Sequence, residues 1–184
     1  MIDEFKADLL RLNSTQMYRK YILGGGSRVL TDDLYYQLRQ DVCEGLRVEF
    51  NDVVLVGSGR LGFSLNPKQR YREFCDDSDI DLAIVSTPLF ERVWKEAYLY
   101  KRSGADWPKS GEFFRYLSNG WVRPDMMPSS RYFELSKRWW NFFNELTRSQ
   151  KYGAYKVRGG LYHSHFFLEN YQIVCIEQCV GEFR

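Results

Sequence analysis

Two aspartates two residues apart, Asp79 and Asp81, are the residues whose type and spacing best suit chemistry in this chain. They open the apolar segment D-I-D-L-A-I-V, which has the composition of a buried strand. Because side chains alternate along a strand, both carboxylates point to one face, with Cα atoms about 6.5–7 Å apart. Such a pair can share a divalent cation, and oxygen ligands favour Mg²⁺ or Mn²⁺ over zinc. The pattern therefore predicts that Asp79 and Asp81 are catalytic residues and metal ligands, with solvated charge at a strand end as the alternative.

A glycine turn upstream is the second feature suited to chemistry. The apolar run V-V-L-V leads into G-S-G-R at residues 57–60. Gly57 permits a close approach of the backbone to a ligand, and successive amides at a helix start can form an anion site. Ser58 adds a hydroxyl donor. Arg60 could contact a phosphate, with an exposed arginine that binds nothing as the alternative.

Together these residues resemble the DNA polymerase β-like nucleotidyltransferase superfamily, and its small bacterial members in particular. The superfamily pattern is an apolar strand, Gly-Ser or Gly-Gly, a helix, and then a strand that begins D-x-D. This chain has V-L-V-G-S-G-R-L-G-F-S and S-D-I-D-L-A-I-V, within residues 53–86. The resemblance implies an α/β fold of the α+β type: a short mixed β-sheet flanked by helices, with additional C-terminal helices.

The resemblance also implies an activity, the metal-dependent transfer of a nucleoside monophosphate from an NTP, expected to be ATP, to a hydroxyl group. The acceptor could belong to a protein, an RNA, a nucleotide or a small molecule. Ser58 would hold the triphosphate, while Asp79 and Asp81 would hold Mg²⁺ or Mn²⁺. In this superfamily the metals polarise the α-phosphate and steady the pyrophosphate leaving group.

An insertion between the glycine turn and the aspartates departs from the usual spacing of the superfamily. It carries three bases, Lys68, Arg70 and Arg72. These residues could grip the triphosphate or an RNA acceptor, or they could belong to a solvated loop. Lys68 is the member that we assign to nucleotide binding.

A second departure concerns the third carboxylate, which catalytic members carry on a later strand. The later strand predicted here, over Tyr152 to Arg158, offers Lys156 and Arg158 instead, and we assign Arg158 to nucleotide binding. A general base for the acceptor hydroxyl is then missing. Three acids that no motif places remain as candidates: Asp125, Glu169 and Glu177. An alternative function is therefore a catalytically impaired nucleotide sensor or partner-binding protein, and the resemblance makes toxin–antitoxin or phage defence a plausible setting.

Helices must surround these strands, because apolar residues recur at helical spacing before and after them. The periodicity predicts a first helix from Ile2 to about Ile22, ended by Gly24 to Gly26. Thr31 suits the N-cap of a second helix, and Pro88 suits the start of a third. We expect a single nucleotidyltransferase-like domain over residues 1–184, with a core at about 27–120 and a C-terminal helical extension at about 129–184.

The expected C-terminal extension contains a long aromatic helix that begins at Ser129 or Ser130. Its stripe over residues 132–143 predicts core packing, although the same surface could bind a protein partner or a second copy of the chain. Gly159 and Gly160 are expected to end the preceding strand. From Leu161 onward the spacing favours a helix, while I-V-C-I could also form a strand.

Composition excludes several classes of protein. The net charge of +2 is too small for a polycation that binds nucleic acid over its whole surface. Residues 131–158 are locally basic, however, which leaves an RNA-binding interpretation open. The four cysteines do not suggest a disulfide framework, and Cys175 and Cys179 lack the spacing of a zinc site. Apolar runs of four residues or fewer and an acidic N-terminal segment predict a cytoplasmic protein without a membrane span or signal peptide.

Overall fold

A four-stranded β-sheet with helices on both faces forms the centre of the computed structural model, which describes residues 1–129 and 131–181. The strands are β1 (Val53–Val56), β2 (Asp79–Val85), β3 (Trp121–Val122) and β4 (Lys156–Tyr162). The helices are α1 (Ile2–Leu9), α2 (Ser14–Tyr18), α3 (Asp32–Leu46), α4 (Gly57–Leu61), α5 (Thr87–Arg102), α6 (Ser110–Ser118), α7 (Glu134–Ser149) and α8 (His165–Val180). A π-helical turn covers Arg19–Leu23, and 3₁₀ turns cover Phe50–Asp52, Pro67–Gln69 and Pro124–Met126.

The sheet is mixed, and its strand order is β1-β2-β4-β3. Strand β2 pairs with β1 in antiparallel and with β4 in parallel orientation, and β3 pairs with β4 in antiparallel orientation. The register places Val56 opposite Asp81 on one side and Arg158 opposite Asp81 on the other. The predicted α+β class with a short mixed sheet flanked by helices is confirmed.

Alternation along β2 divides the apolar core into two layers. Ile80, Leu82 and Ile84 point to the face covered by α3, α5, α6 and α7. Ala83 and Val85 point to the opposite face, which is covered by α1, α2 and α8. Because Asp79 and Asp81 share the alternation of Ala83, they lie on this second face, at the N-terminal end of the strand.

The N-terminal helix is interrupted, whereas its sequence predicts one continuous helix. The break occurs because Asn13 and Gln16 form a reciprocal capping box that starts α2. The π-helical turn then ends before Gly24, as expected from the glycine run. The predicted cap of the next helix is confirmed, since the Thr31 hydroxyl accepts a hydrogen bond from the Leu34 amide.

Strand β4 differs most from the prediction. It continues through Gly159 and Gly160, because aromatic rings lie where side chains at these positions would be. A Cβ atom at Gly159 would come within 2.3 Å of the Phe143 ring, and one at Gly160 within 2.9 Å of the Trp121 indole nitrogen. The C-terminal part of the chain thus supplies an inner strand of the sheet, β4, in addition to helices α7 and α8.

The aromatic helix α7 begins at Glu134 rather than at Ser129, and the other predicted cap, Ser130, lies outside the described residues. Trp139 and Phe143 are buried in the core, as the stripe predicts. The tail forms helix α8, as favoured, but Leu161 and Tyr162 belong to β4. Within residues 1–129 and 131–181, no helix is long and apolar enough to cross a bilayer.

Candidate functional site

The glycine turn and the two aspartates meet at the ends of β1 and β2. Gly57 follows Val56 directly, and the pairing of Val56 with Asp81 places the turn beside that carboxylate. Gly57 has a φ of 63°, and a Cβ atom there would lie only 3.3 Å from Asp81 Oδ2. Both the left-handed backbone and the close approach favour glycine at this position. The structure therefore brings together the two parts of the predicted site.

A groove of about 920 Å³ runs over this junction. Five of the predicted site residues line it: Gly57, Ser58, Asp79, Asp81 and Arg158. Part of the inserted loop forms one rim, including Pro67, Gln69 and Arg72. The volume lies within the range of small-molecule sites and can hold a nucleotide.

Arg158 forms an ion pair with one of the two aspartates. Its Nε atom donates a hydrogen bond of 2.6 Å to Asp79 Oδ2, and both side chains are partly exposed. The pairing exists because Arg158 stands opposite Asp81 in the register and shares the face of the two carboxylates. On β4, the later strand of the sheet, the position opposite Asp81 is therefore occupied by the base Arg158 and not by a third carboxylate.

Asp81 carries the most strongly perturbed carboxyl group of the site. Burial raises its pKa to about 7, the negative charge of Asp79 adds to this effect, and Arg158 opposes it. A divalent cation beside Asp81 would remove the cost of ionising this carboxyl, because its positive charge would balance the negative charge of the carboxylate. Arg158 already balances the charge of Asp79 in this way.

The two aspartates fit a Mg²⁺ ion that arrives with a phosphate ligand. Among the described residues, no group of three or more His, Cys, Asp or Glu side chains could hold a metal ion. Mg²⁺ commonly keeps several waters and binds one or two carboxylates together with substrate phosphates. Asp79 and Asp81 can supply that pair of carboxylates, but they do not make an all-protein cage.

The three candidates for a third carboxylate lie in different places. Asp125 lines the groove, but both of its carboxylate oxygens accept hydrogen bonds from Arg123. Glu177 lines a separate shallow pocket with Asn13 and Arg19, and Glu169 is close enough to Tyr18 to add to the rise in pKa that burial causes there. Of the three, only Asp125 lines the same groove as Asp79 and Asp81.

Two predicted nucleotide-binding residues do not line the groove. Arg60 is 2% exposed, and its guanidinium donates hydrogen bonds to the carbonyls of Tyr21 and of Gly24 to Gly26. These bonds hold Gly24 to Gly26, which follow the π-helical turn, against α4. The expectation of an exposed Arg60 is therefore wrong. Lys68 lies in the 3₁₀ turn of the inserted loop and is exposed to solvent.

No sequence pattern predicted the aromatic wall of the groove. Trp121 and Tyr171 form this wall, with ring centroids 4.6 Å apart, and the Arg123 guanidinium lies over the Trp121 ring. Gln172, a buried polar residue of α8, lies beside them. Short strand β3 and helix α8 meet only in the folded chain, so no local motif marks this wall.

The basic segment over residues 131–158 does not form one free cationic surface. Arg138 pairs with Glu134, Lys151 with Asp41, and Arg158 with Asp79. These pairs reduce the local charge that an RNA-binding surface would need.

Comparison with protein-family models, with curated protein sequences and with solved structures finds no match. The proposal of a function therefore depends on the residues of the groove and on their geometry.

Proposed function

We propose that the groove binds an NTP together with Mg²⁺ and that the protein transfers the nucleoside monophosphate to a hydroxyl acceptor. The observation that carries this proposal is the contact between the glycine turn and the carboxylate pair. Gly57 and Ser58 offer phosphate-binding groups within the same groove as Asp79 and Asp81, and Asp81 lies directly beside Gly57. A phosphate ligand and a divalent cation are what these two sets of groups bind best.

Each residue of the groove has a defined part in this proposal. The Ser58 hydroxyl donates a hydrogen bond to the triphosphate, and the absence of a side chain at Gly57 lets the chain approach it. Arg158 can neutralise phosphate charge from the neighbouring strand. Mg²⁺ held by Asp79 and Asp81 would polarise the phosphate and stabilise the charge that develops on pyrophosphate.

Incubation with each of the four NTPs labelled at the α-phosphate, with Mg²⁺ or Mn²⁺, tests the proposal. Label should move to the protein, to RNA or to a small acceptor, and pyrophosphate should be released. Asp79→Asn should abolish transfer, while Asp76→Asn, an exposed acid outside the groove, should leave it unchanged. If the unsubstituted protein releases no pyrophosphate with any NTP and any acceptor class, the transferase proposal is wrong.

A second candidate function, a nucleotide sensor without turnover, is favoured by one specific observation. The base Arg158 stands beside Asp81 on β4, and the groove's remaining candidate acid, Asp125, is already paired with Arg123. A sensor should bind a nucleotide in calorimetry without releasing pyrophosphate. Binding accompanied by pyrophosphate release would exclude this candidate and support the transferase.

A further inference from the structure

We propose that Arg158 acts as a built-in counter-cation of Asp79, so that the site accepts a divalent cation only together with a triphosphate. This inference rests on the proposed function and adds how the metal enters the site. It predicts that a divalent cation alone binds weakly, and that the cation and the triphosphate strengthen each other's binding.

The first step of the argument is the geometry of the ion pair. Arg158 Nε lies 2.6 Å from Asp79 Oδ2, which is the distance of a strong charge-assisted hydrogen bond. A metal ion that uses Asp79 as a ligand must compete with this guanidinium. Because Arg158 and Asp81 are register partners, the same guanidinium also lies near the second carboxylate.

The second step is the charge of the site. Asp79, Asp81 and Arg158 together carry a net charge of −1 when both acids are ionised, and the exposed Lys156, the register partner of Asp79, adds a further positive charge. A divalent cation that enters alone would meet the positive charge of Arg158 at short range, so its binding is weakened. A triphosphate that enters with the cation supplies enough negative charge for both cations to remain in the groove.

The third step is the freedom of Arg158 to change partners. Its side chain is 45% exposed and that of Asp79 is 32% exposed, so the guanidinium can turn toward the groove, where a phosphate would replace the ion pair that it gives up. Gly160, the next residue of β4 on the same face, carries no side chain beside the guanidinium. A phosphate near Ser58 would give the planar guanidinium of Arg158 a bidentate partner in place of Asp79.

The other arginines of the groove are less suited to this exchange. Arg123 is held by both oxygens of Asp125 and by the Tyr116 hydroxyl, and it packs over Trp121. Arg72 lies on the rim, in the inserted loop. Arg158 is thus the arginine that joins the carboxylates to the space where a phosphate would bind.

Titration of the protein with Mn²⁺ alone, followed by electron paramagnetic resonance of the free ion, tests the inference. Arg158→Gln should bind Mn²⁺ about tenfold more tightly than the unsubstituted protein. Lys137→Gln removes one charge from the exposed face of α7, away from the groove, and should leave Mn²⁺ affinity unchanged. Arg158→Lys keeps the charge, so its Mn²⁺ affinity should stay close to that of the unsubstituted protein.

A second titration measures coupling with a non-hydrolysable NTP analogue, with and without Mn²⁺. The unsubstituted protein should bind the analogue at least about tenfold more tightly when Mn²⁺ is present, and Arg158→Gln should lose most of this gain. If Arg158→Gln and the unsubstituted protein bind Mn²⁺ alone equally well, the counter-cation role is wrong, even where the analogue binds. If the analogue binds neither protein under any condition, the proposed function fails, and the Mn²⁺ titration still decides the role of Arg158.

Discussion

Replacement of Asp81 by asparagine should stabilise the protein at neutral and alkaline pH. Asparagine keeps the shape of the side chain but removes a charge that is costly to bury. The pKa of Asp81 is raised from an ordinary value near 4 to about 7 by burial and by Asp79. A shift of about three units corresponds to roughly 4 kcal/mol, so Asp81→Asn should gain about 2–4 kcal/mol at pH 8.

The sign of the effect follows from proton binding. Between about pH 4 and pH 7 the folded protein holds a proton on Asp81 that the unfolded chain releases. The free energy of unfolding of the unsubstituted protein therefore falls as the pH rises through this window. Asp81→Asn lacks this fall, so the two proteins should differ little at pH 4 and most at pH 8.

Thermal unfolding followed by circular dichroism at pH 4, 6 and 8 measures the difference. For a chain of this length, 1 kcal/mol moves Tm by about 2–4 °C, so a gain of roughly 5–15 °C is expected at pH 8. Asp76→Asn, which changes an exposed acid of the same segment, should not move Tm measurably. Equal Tm values for Asp81→Asn and the unsubstituted protein at pH 8 would refute the reasoning. Such a result would mean that Asp81 ionises in the fold without cost.

Three further substitutions test other parts of the fold by urea unfolding. Arg60→Ala should cost about 3–5 kcal/mol, because it leaves the carbonyls of Tyr21 and Gly24 to Gly26 without their donor, and Arg60→Lys should not rescue it. Asp41→Asn should cost about 1–3 kcal/mol at pH 7, because bonds from Lys151, Tyr152 and Gln37 outweigh burial and lower the pKa of this carboxyl. That cost should decline as the pH falls below about 4 and approaches the lowered pKa of the folded protein. Gly159→Ala should cost about 1–3 kcal/mol, because its Cβ atom would overlap the Phe143 ring.

Each of these three substitutions has a matched control or a decisive negative result. Lys68→Ala, at an exposed position, should change the free energy of unfolding by less than about 0.5 kcal/mol. If Arg60→Ala has an effect as small as this, the hydrogen bonds from Arg60 to the four carbonyls do not stabilise the fold. A cost of Asp41→Asn that does not decline as the pH falls below about 4 would show that the ion pair is not its source. A Cβ atom at Gly111 would meet no other atom within 4 Å, so Gly111→Ala should leave stability unchanged or raise it. If Gly159→Ala gives the same result, overlap with the Phe143 ring is excluded as a cost at that position.

Local patterns in the sequence were enough to predict β1, β2 and the common face of Asp79 and Asp81. The reason is that alternation along a strand depends only on neighbouring residues. The N-cap at Thr31 and the start of α5 near Pro88 were predictable for the same reason, since capping is decided within one helical turn.

Features that depend on distant segments were not predictable in this way. Gly159 and Gly160 look like strand terminators, but the rings of Phe143 and Trp121 pack against them and keep them inside β4. The ion pair between Arg158 and Asp79 depends on the register of two strands far apart in the chain. The burial of Arg60 likewise depends on the carbonyls of a turn that lies well before it in the sequence.

The strand order also has a consequence for folding during synthesis. Strand β2 can pair with β1 as soon as both have left the ribosome. Its other edge stays unpaired until β4 has been synthesised, and β4 comes only after α5, α6, β3 and α7. At typical elongation rates this interval lasts on the order of several seconds. Throughout it, Asp79 and Asp81 lie at the start of an open strand edge, where charged residues hinder pairing with a second chain. The carboxylates of the groove can thus protect the unfinished sheet from aggregation until β4 docks and brings Arg158 to them.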